Sequence, residues 1–98
     1  MEGPDDVIHQ PIRLRVMPAL TALDPSDDGL DFARLKTLTG ATGGNLGAHL
    51  DHLARAGYVD VNKAFVARRP RTTVKASAAG RAAFARHVAF LKSIIVGT

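Results

Sequence analysis

Residues 30–61 read "LDFARLKTLTGATGGNLGAHLDHLARAGYVDV", and the spacing within this stretch predicts two short helices on either side of a bend. Asp31 is a favoured N-cap for the first helix, and Gly40 is the left-handed residue that ends it. Thr42 caps the second helix, which Gly57 closes. The side chains expected to face a core are Phe32, Leu35 and Leu38 in the first helix and Leu46, Leu50 and Leu53 in the second. Two short helices joined by a glycine-containing bend form a helix-turn-helix pattern.

The glycines of "GATGGNLGAHL", residues 40–50, also fit a phosphate-cradling loop or a plain turn. The two common phosphate-loop motifs fail, because Thr42 stands where GxGxxG needs its second glycine and Asn45 stands where GxxxxGK[ST] needs glycine. The start of a helix fits better. In its first turn, Gly43 and Gly44 would leave N–H groups open to a phosphate.

Two strands are predicted directly after the second helix. The stretches "YVDVNKAFV" (58–66) and "TTVKA" (72–76) have strand composition. The basic segment "ARRPR" (67–71) between them is expected to be a loop stiffened by Pro70. Leu30 is expected to lie in a very short additional strand. A β-hairpin placed directly after a helix-turn-helix is the arrangement of a winged helix, in which the loop of the hairpin is the wing.

An amphipathic helix is predicted before this unit, from about Pro11 to Leu23. Pro18 should kink this helix or end it early, because proline has no N–H for the Leu14 carbonyl. The apolar residues that recur on its main face are Ile8, Ile12, Val16, Ala19, Leu20 and Leu23.

A last helix is predicted from a cap at Ser77 to about Val96, and it carries two apolar stripes. The first stripe is Phe84, Val88, Leu91 and Ile95, and the second is Ala83, His87, Phe90 and Ile94. Because so small a domain needs only one buried stripe per helix, the surplus predicts a dimer interface across a two-fold axis. The residues assigned to that interface are Val7, Leu14, Met17, Ala83, His87, Phe90 and Ile94. The alternative is a broadly buried last helix within a monomer.

The 98 residues are sufficient for one domain with a modest core. The chain has no cysteine and no apolar run of about 18 residues, so we expect a soluble cytoplasmic protein without disulfides, thiolate metal sites or a membrane anchor. All nine acidic residues lie in the first 60 positions, whereas the chain from Val61 onward carries eight Lys/Arg and no acid. This segregation indicates a polyanionic partner, and a solvated basic surface is the alternative.

Three segments carry a resemblance to a known family: "HQPIRLRVM" (9–17), residues 30–61 quoted above, and "RRPRTTVKASAAGRAAFARHV" (68–88). In this order they resemble the small winged-helix transcriptional regulators related to the MarR and ArsR groups. The resemblance implies an α+β, mostly α, winged helix-turn-helix with a two- to three-stranded antiparallel wing and terminal dimerisation helices. It also implies a homodimer that places its third helix in the major groove of DNA and its wings on the flanking backbone or minor groove.

We therefore expect a single domain over residues 1–98. Its helix-turn-helix spans about 32–56, its wing about 58–76 and its C-terminal dimerisation helix about 78–96. Three positions depart from the family pattern. Family members commonly carry serine at the position of Gly47 and Leu-Thr at the positions of Ala76 and Ser77. They carry a helix-forming residue at the position of Pro18. The absence of a side chain at Gly47 is expected to avoid a clash with DNA or with the preceding helix.

Twelve residues are predicted to contact DNA. Asn45 has the geometry to pair with adenine, and arginine binds phosphate and enters narrow minor grooves. With the leucine stripe turned inward, Ala41 and Arg55 also point outward. The predicted contacts are Thr42, Gly43, Gly44, Asn45, Ala48, His49 and His52 on the third helix, and Lys63, Arg68, Arg69, Arg71 and Thr72 on the wing.

Metal-dependent and enzymatic functions are disfavoured. His49 and His52 are spaced one helical turn apart, but no cysteine or carboxylate pair completes a metal site, so His49 is interpreted as a DNA contact or a packed flanking residue. No nucleophile arrangement fits catalysis, and no cofactor is expected.

The leading hypothesis is a homodimeric, sequence-specific transcriptional regulator of double-stranded DNA, associated with the nucleoid and with a pseudo-palindromic operator. A non-specific DNA-architectural protein and a winged-helix protein-interaction module are the alternatives. A small-molecule effector, if one exists, would bind at the dimer interface or between the terminal and DNA-binding helices.

Overall fold

A computed structural model describes residues 4–97, which form four α-helices and a three-stranded antiparallel sheet. In chain order the elements are α1 (Arg13–Thr21), β1 (Leu30–Asp31), α2 (Phe32–Thr39), α3 (Gly43–Arg55), β2 (Val59–Val66), β3 (Arg69–Ala76) and α4 (Ala78–Val96). The predicted fold class, a mostly α winged helix, is confirmed. Within these described residues, no helix is long and apolar enough to cross a membrane.

The helix-turn-helix forms through the expected caps. The Asp31 carboxylate accepts a hydrogen bond from the Arg34 N–H at 2.7 Å, and the Thr42 hydroxyl accepts one from the Asn45 N–H at 3.2 Å. Gly40 ends α2 in the left-handed conformation, with φ of 70°. After α3, Gly57 is also left-handed, and the Tyr58 N–H donates to the Leu53 carbonyl at 2.9 Å, which closes a Schellman motif.

The core lies where α1, α2 and α3 pack on one face of the sheet. Its buried apolar side chains include Val16, Met17 and Leu20 of α1, Leu35 of α2, Leu46, Leu50 and Leu53 of α3, and Val59 and Val74 of the sheet. The leucine stripe of α3 is therefore confirmed.

Two predictions about the helix-turn-helix core were wrong. Leu38 is exposed, and Thr39 is buried in its place. Thr39 can be buried because its hydroxyl donates to the Leu35 carbonyl at 2.8 Å. Ala41, expected to point outward, is buried because it lies in the bend between α2 and α3 rather than on the outer face of α3.

α1 is shorter than predicted and runs through its proline. It begins at Arg13 and ends at Thr21. Just before it, the Ile12 N–H donates a hydrogen bond to the Gln10 side-chain oxygen at 2.8 Å. Pro18 lies inside the helix and does not end it. Met17, which was assigned to the dimer interface, is fully buried and belongs to the core instead. α1 turns Val16, Met17 and Leu20 toward the core, which leaves no surface of Met17 exposed to a partner chain.

The sheet order is β1-β3-β2, and β2 and β3 form the wing. The predicted five-residue loop was wrong. The turn contains only Ala67 and Arg68, both at positive φ, because Val66 pairs with Arg69. Pro70 is therefore part of β3 and lies opposite Phe65. In a hairpin with a two-residue turn this pair is the non-hydrogen-bonded one, so the proline needs no N–H there.

α4 is anchored by its first turn. The Ser77 hydroxyl accepts a hydrogen bond from the Gly80 N–H at 2.9 Å and donates one to the Gly57 carbonyl at 2.5 Å. Gly80 lies so close to the Tyr58 carbonyl that a Cβ atom at this position would overlap it. This contact, which was not predicted, turns α4 so that Ala83 and His87 face the protomer core. Ile94 and Ile95, near the end of α4, are both exposed because the helix extends beyond that core.

Candidate nucleic-acid interface

The outer face of α3 is an exposed surface opposite the buried leucine stripe. Gly44, Asn45, Ala48 and His52 are all exposed there, and Gly43 and His49 are half-buried at its margins. Their side chains are small or polar, so this face leaves the backbone accessible near the start of the helix. Such a surface suits a helix that enters the major groove of DNA.

The N-terminus of α3 is suited to bind an anion. The Thr42 hydroxyl caps the helix as an acceptor, which leaves its proton free to donate to another group. A Cβ atom on Gly44 or on Gly47 would have no neighbour within 4 Å. The expectation that Gly47 avoids a clash with the preceding helix is therefore wrong, since that helix is not close enough.

The wing joins this surface through a groove beside α3. Gly47 and Asp51 of α3 line the groove with Lys63 of β2 and Thr72 of β3. Lys63 and Thr72 are cross-strand partners on the same face of the hairpin as the core residues. The structure thus brings two of the predicted wing contacts next to α3.

The three wing arginines do not form one cluster. Arg68 lies in the turn, whereas Arg69 and Arg71 lie on β3 and point to the face of the hairpin opposite Lys63, as the alternation of the strand requires. Arg71 also lies 3.8 Å from the Asp31 carboxylate. Basic side chains therefore line the tip and both faces of the wing.

His49 fits the packed interpretation better than a phosphate contact. Its Nδ1 atom is buried and has no hydrogen-bond partner among residues 4–97. Burial is the main cause that lowers the pKa of His49 below its ordinary value, and the Arg13 and His52 charges act in the same direction. Within residues 4–97, no group of three His, Asp or Glu side chains is arranged to hold a metal ion.

The apolar residues assigned to a dimer interface divide into two groups. Val7, Leu14 and Phe90 are half-buried and Ile94 is 61% exposed, so these four remain accessible to a partner. Met17, Ala83 and His87 are buried within the protomer, and their assignment to an interface is corrected for that reason. Ile95 and Val96, which were not assigned to the interface, are exposed beside Ile94.

His87 is the centre of a polar network that ties the N-terminal segment to α4. It is 1% exposed, its Nδ1 accepts the Asp5 main-chain N–H at 3.1 Å, and its Nε2 lies 3.3 Å from Nδ1 of His9. Because Nδ1 accepts a hydrogen bond, the ring proton is on Nε2 and is donated to His9. The Tyr58 hydroxyl donates to the Asp5 carboxylate at 2.8 Å. The network was not predicted, because no spacing pattern in the sequence links these four positions.

The chain thus has a helix-turn-helix followed by a basic β-hairpin, which defines a winged-helix DNA-binding protein. A comparison with protein families gives the same class of protein. The family described as winged helix DNA-binding domain matches residues 12–95, and the chain belongs to this family. This match confirms the resemblance to winged-helix regulators that the sequence showed, as membership of the winged-helix DNA-binding family.

Several solved chains are similar to this one, and two of them show how far the likeness extends. One is a transcriptional regulator homologue from Pyrococcus horikoshii OT3, with 31% sequence identity and a TM-score of 0.81 over 93% of this chain and 86% of that one. The other is HlyU from Vibrio cholerae, with 21% identity and a TM-score of 0.58 over 87% of this chain and 85% of that one. HlyU supports the fold alone. A comparison with curated proteins found no significant match.

Proposed function

We propose that this protein is a homodimeric transcriptional regulator that binds a pseudo-palindromic operator in double-stranded DNA. The observation that carries the proposal is one exposed surface on which the outer face of α3 continues into the basic wing across the groove at Gly47 and Lys63. The similarity to the Pyrococcus horikoshii transcriptional regulator homologue supports a regulatory role.

In this proposal the N-terminal half of α3 reads bases. Asn45 is exposed in the first turn of α3, where its amide can donate to and accept from adenine in the major groove. Ala48 and His52 follow on the same face, while Thr42, Gly43 and Gly44 hold a backbone phosphate at the helix start. The free space around Gly47 allows the sugar-phosphate backbone to approach α3 closely.

The wing supplies affinity that does not depend on sequence. Lys63 and Thr72 reach the phosphates beside α3, Arg68 at the turn reaches the minor groove, and Arg69 and Arg71 contact the backbone from the other face of the hairpin. Since each neutralised phosphate releases counterions, this part of the affinity falls steeply as salt rises.

The exposed end of α4 provides the dimer contact. Ile94 and Ile95 are 61% and 81% exposed, and Phe90 and Leu91 are half-buried beside them. An apolar helix end of this kind is stabilised by a second copy across a two-fold axis. The two α3 helices of such a dimer would enter successive major grooves, about 34–36 Å apart.

Selection from genomic fragments, followed by salt titration on the enriched sequence, tests the proposal. We expect a shared motif with inverted half-sites and an affinity that falls with salt. Enrichment of random fragments would instead support a DNA-architectural protein. If no duplex binds at about 50 mM salt, where phosphate contacts are strong, the protein is an interaction module for another protein.

A further inference from the structure

Phe65 lies near the tip of the wing and is the most exposed aromatic side chain in the described part of the chain, at 78%. It alternates with Lys63 and the core residue Val59 on β2, so it points to the side of the hairpin that faces α3. Its cross-strand partner is Pro70. Phe65 and Pro70 therefore form an apolar surface just beyond the groove where Lys63 and Thr72 lie beside α3.

The wing residues next to this apolar surface are basic, while the nearest acidic side chains, Asp51 and Asp31, belong to α3 and β1. Arg68 forms the adjoining turn with Ala67, Lys63 lies two residues earlier on the same face, and no acidic residue occurs after Asp60. A partner that meets Phe65 must also accommodate these positive charges. The minor groove of duplex DNA combines phosphates along its edges with apolar sugar walls and stacked bases, and it therefore matches both properties.

The turn of the hairpin restricts the backbone beside Phe65. Its turn has only two residues, and both Ala67 and Arg68 hold positive φ, at 51° and 67°. Non-glycine residues rarely adopt this conformation, and they retain it where the flanking strands enforce it. Pro70 further restricts the backbone opposite Phe65. A fixed hairpin tip can insert a side chain without first losing conformational freedom.

We propose that Phe65 is a wedge that enters the minor groove next to the α3 site, partly unstacks one base step and bends the duplex. Phenylalanine and proline are among the apolar side chains that act in this way, and the resulting kinks are about 20–90°. Flexible pyrimidine–purine steps unstack most easily, so the wedge adds a preference for such a step outside the region that α3 reads. This inference rests on the proposed function and extends it to the shape of the bound DNA.

The test compares Phe65→Ala with Val66→Ala on the operator obtained by selection. Val66 is the matched control, because it is an exposed apolar neighbour (51%) that points to the opposite face of the same strand. Affinity is measured at several salt concentrations, and bending is measured by energy transfer between dyes at the two ends of the duplex. Phe65→Leu serves as a conservative variant that keeps an apolar side chain at the tip.

We expect Phe65→Ala to lose about tenfold in affinity and most of the bend, by analogy with the loss of other base–aromatic contacts. Its salt dependence should match that of the wild type, since an apolar contact releases no counterions. Arg68→Ala should instead reduce the slope of the salt dependence by about one. Val66→Ala should resemble the wild type, and Phe65→Leu should retain part of the bend.

Equal affinity and bending for Phe65→Ala and Val66→Ala would overturn the wedge and leave the proposed function standing, as long as the wild type selects a motif. The wedge is equally overturned if the wild type binds its operator without bending it. If the wild type binds no duplex, the proposed function fails as well, and Phe65 belongs to a protein-binding surface.

Discussion

Gly47 and Gly80 both lie inside helices, yet their surroundings are opposite. Gly47 has open space where a side chain would be, whereas Gly80 is packed directly against the Tyr58 carbonyl. Glycine within a helix costs about 0.5–1 kcal/mol relative to alanine through backbone entropy. At Gly80 this cost is offset by the close approach of α4 to the sheet, and at Gly47 nothing within the protomer offsets it.

We therefore predict that Gly47→Ala raises the free energy of unfolding by about 0.5–1 kcal/mol and that Gly80→Ala lowers it by about 2 kcal/mol or more. Urea denaturation followed by circular dichroism measures both changes. If DNA approaches Gly47 closely, the more stable Gly47→Ala variant binds the operator more weakly. Equal stability of the two variants would contradict the packing difference.

His87 makes folding stability dependent on pH. Burial and the neighbouring His9 lower the pKa of His87 below its ordinary value near 6.5, and Asp5 opposes them only in part. The Asp5 carboxylate also accepts a hydrogen bond from the Tyr58 hydroxyl. Protonation on Nδ1 would remove the hydrogen bond from the Asp5 N–H, so the folded protein favours the neutral ring.

The unfolded chain consequently binds a proton at His87 more readily than the folded chain. The stability due to neutral His87 is complete above about pH 6.5 and declines as the pH falls below that value. We predict that His87→Gln is less stable than the wild type at pH 8 and that the difference narrows toward pH 5. Denaturation curves across this range provide the measurement. His49, whose pKa is lowered in the same direction, contributes to the slope that remains in His87→Gln. A wild-type slope unchanged by His87→Gln would show that another group is responsible.

At the scale of elements, α3 and the wing have different tasks in the proposed complex. α3 presents side chains suited to base edges, and the wing presents charges suited to phosphates. The caps at Thr42 and Gly57 hold α3, and the pairing of β2 with β3 holds the wing. Substituting an exposed side chain on either element removes none of these backbone contacts.

This division predicts different consequences for Asn45→Ala and Arg69→Ala. Asn45→Ala should lose about 1–3 kcal/mol of discrimination at one operator position, because a single bidentate base contact is removed. Arg69→Ala should weaken operator and random duplex alike and reduce the salt slope by about one. Arg86→Ala, which removes a charge from α4, is the control and should leave both properties near the wild-type values. Equal losses on operator and random DNA for both test variants would contradict the division.

At the scale of the whole molecule, the described chain is elongated, with extents of 53 × 28 × 21 Å. α4 is 19 residues long, but only its first half is buried, through Gly80, Ala83 and His87. The exposed apolar residues at its end, Ile94 to Val96, have no packing partner within residues 4–97 that would cover them. A second copy of the chain would cover this end in the proposed dimer.

We predict that Ile94→Lys converts the dimer to a monomer of about 10.4 kDa, as measured by sedimentation equilibrium. A buried lysine without a charged partner is costly, so the interface should open. The operator affinity of the variant should fall to that of a single half-site. Ala85→Lys places the same charge on an exposed position nearer the start of α4 and should remain dimeric. A monomeric wild type would overturn the dimer proposal directly.

Local signals in the sequence predict the order of the helices and strands and much of the candidate surface. The caps at Asp31, Thr42 and Ser77, the left-handed glycines and the leucine spacing of α3 are local signals, because each acts within one or two turns of the chain. The same local pattern identified the exposed face of α3 around Asn45.

The way these elements are turned relative to one another depends on long-range contacts and on strand register in the folded chain. The contact of Gly80 with Tyr58 rotates α4 so that His87 is buried, and the two-residue turn at Ala67 and Arg68 sets which wing residues face α3. Phe65 is placed beside the candidate DNA surface by the same register. The first of these features depends on residues that are distant in the sequence. The other two depend on the register of strand pairing, because a shift of one residue moves every side chain of a strand to the opposite face of the hairpin while the sequence stays the same.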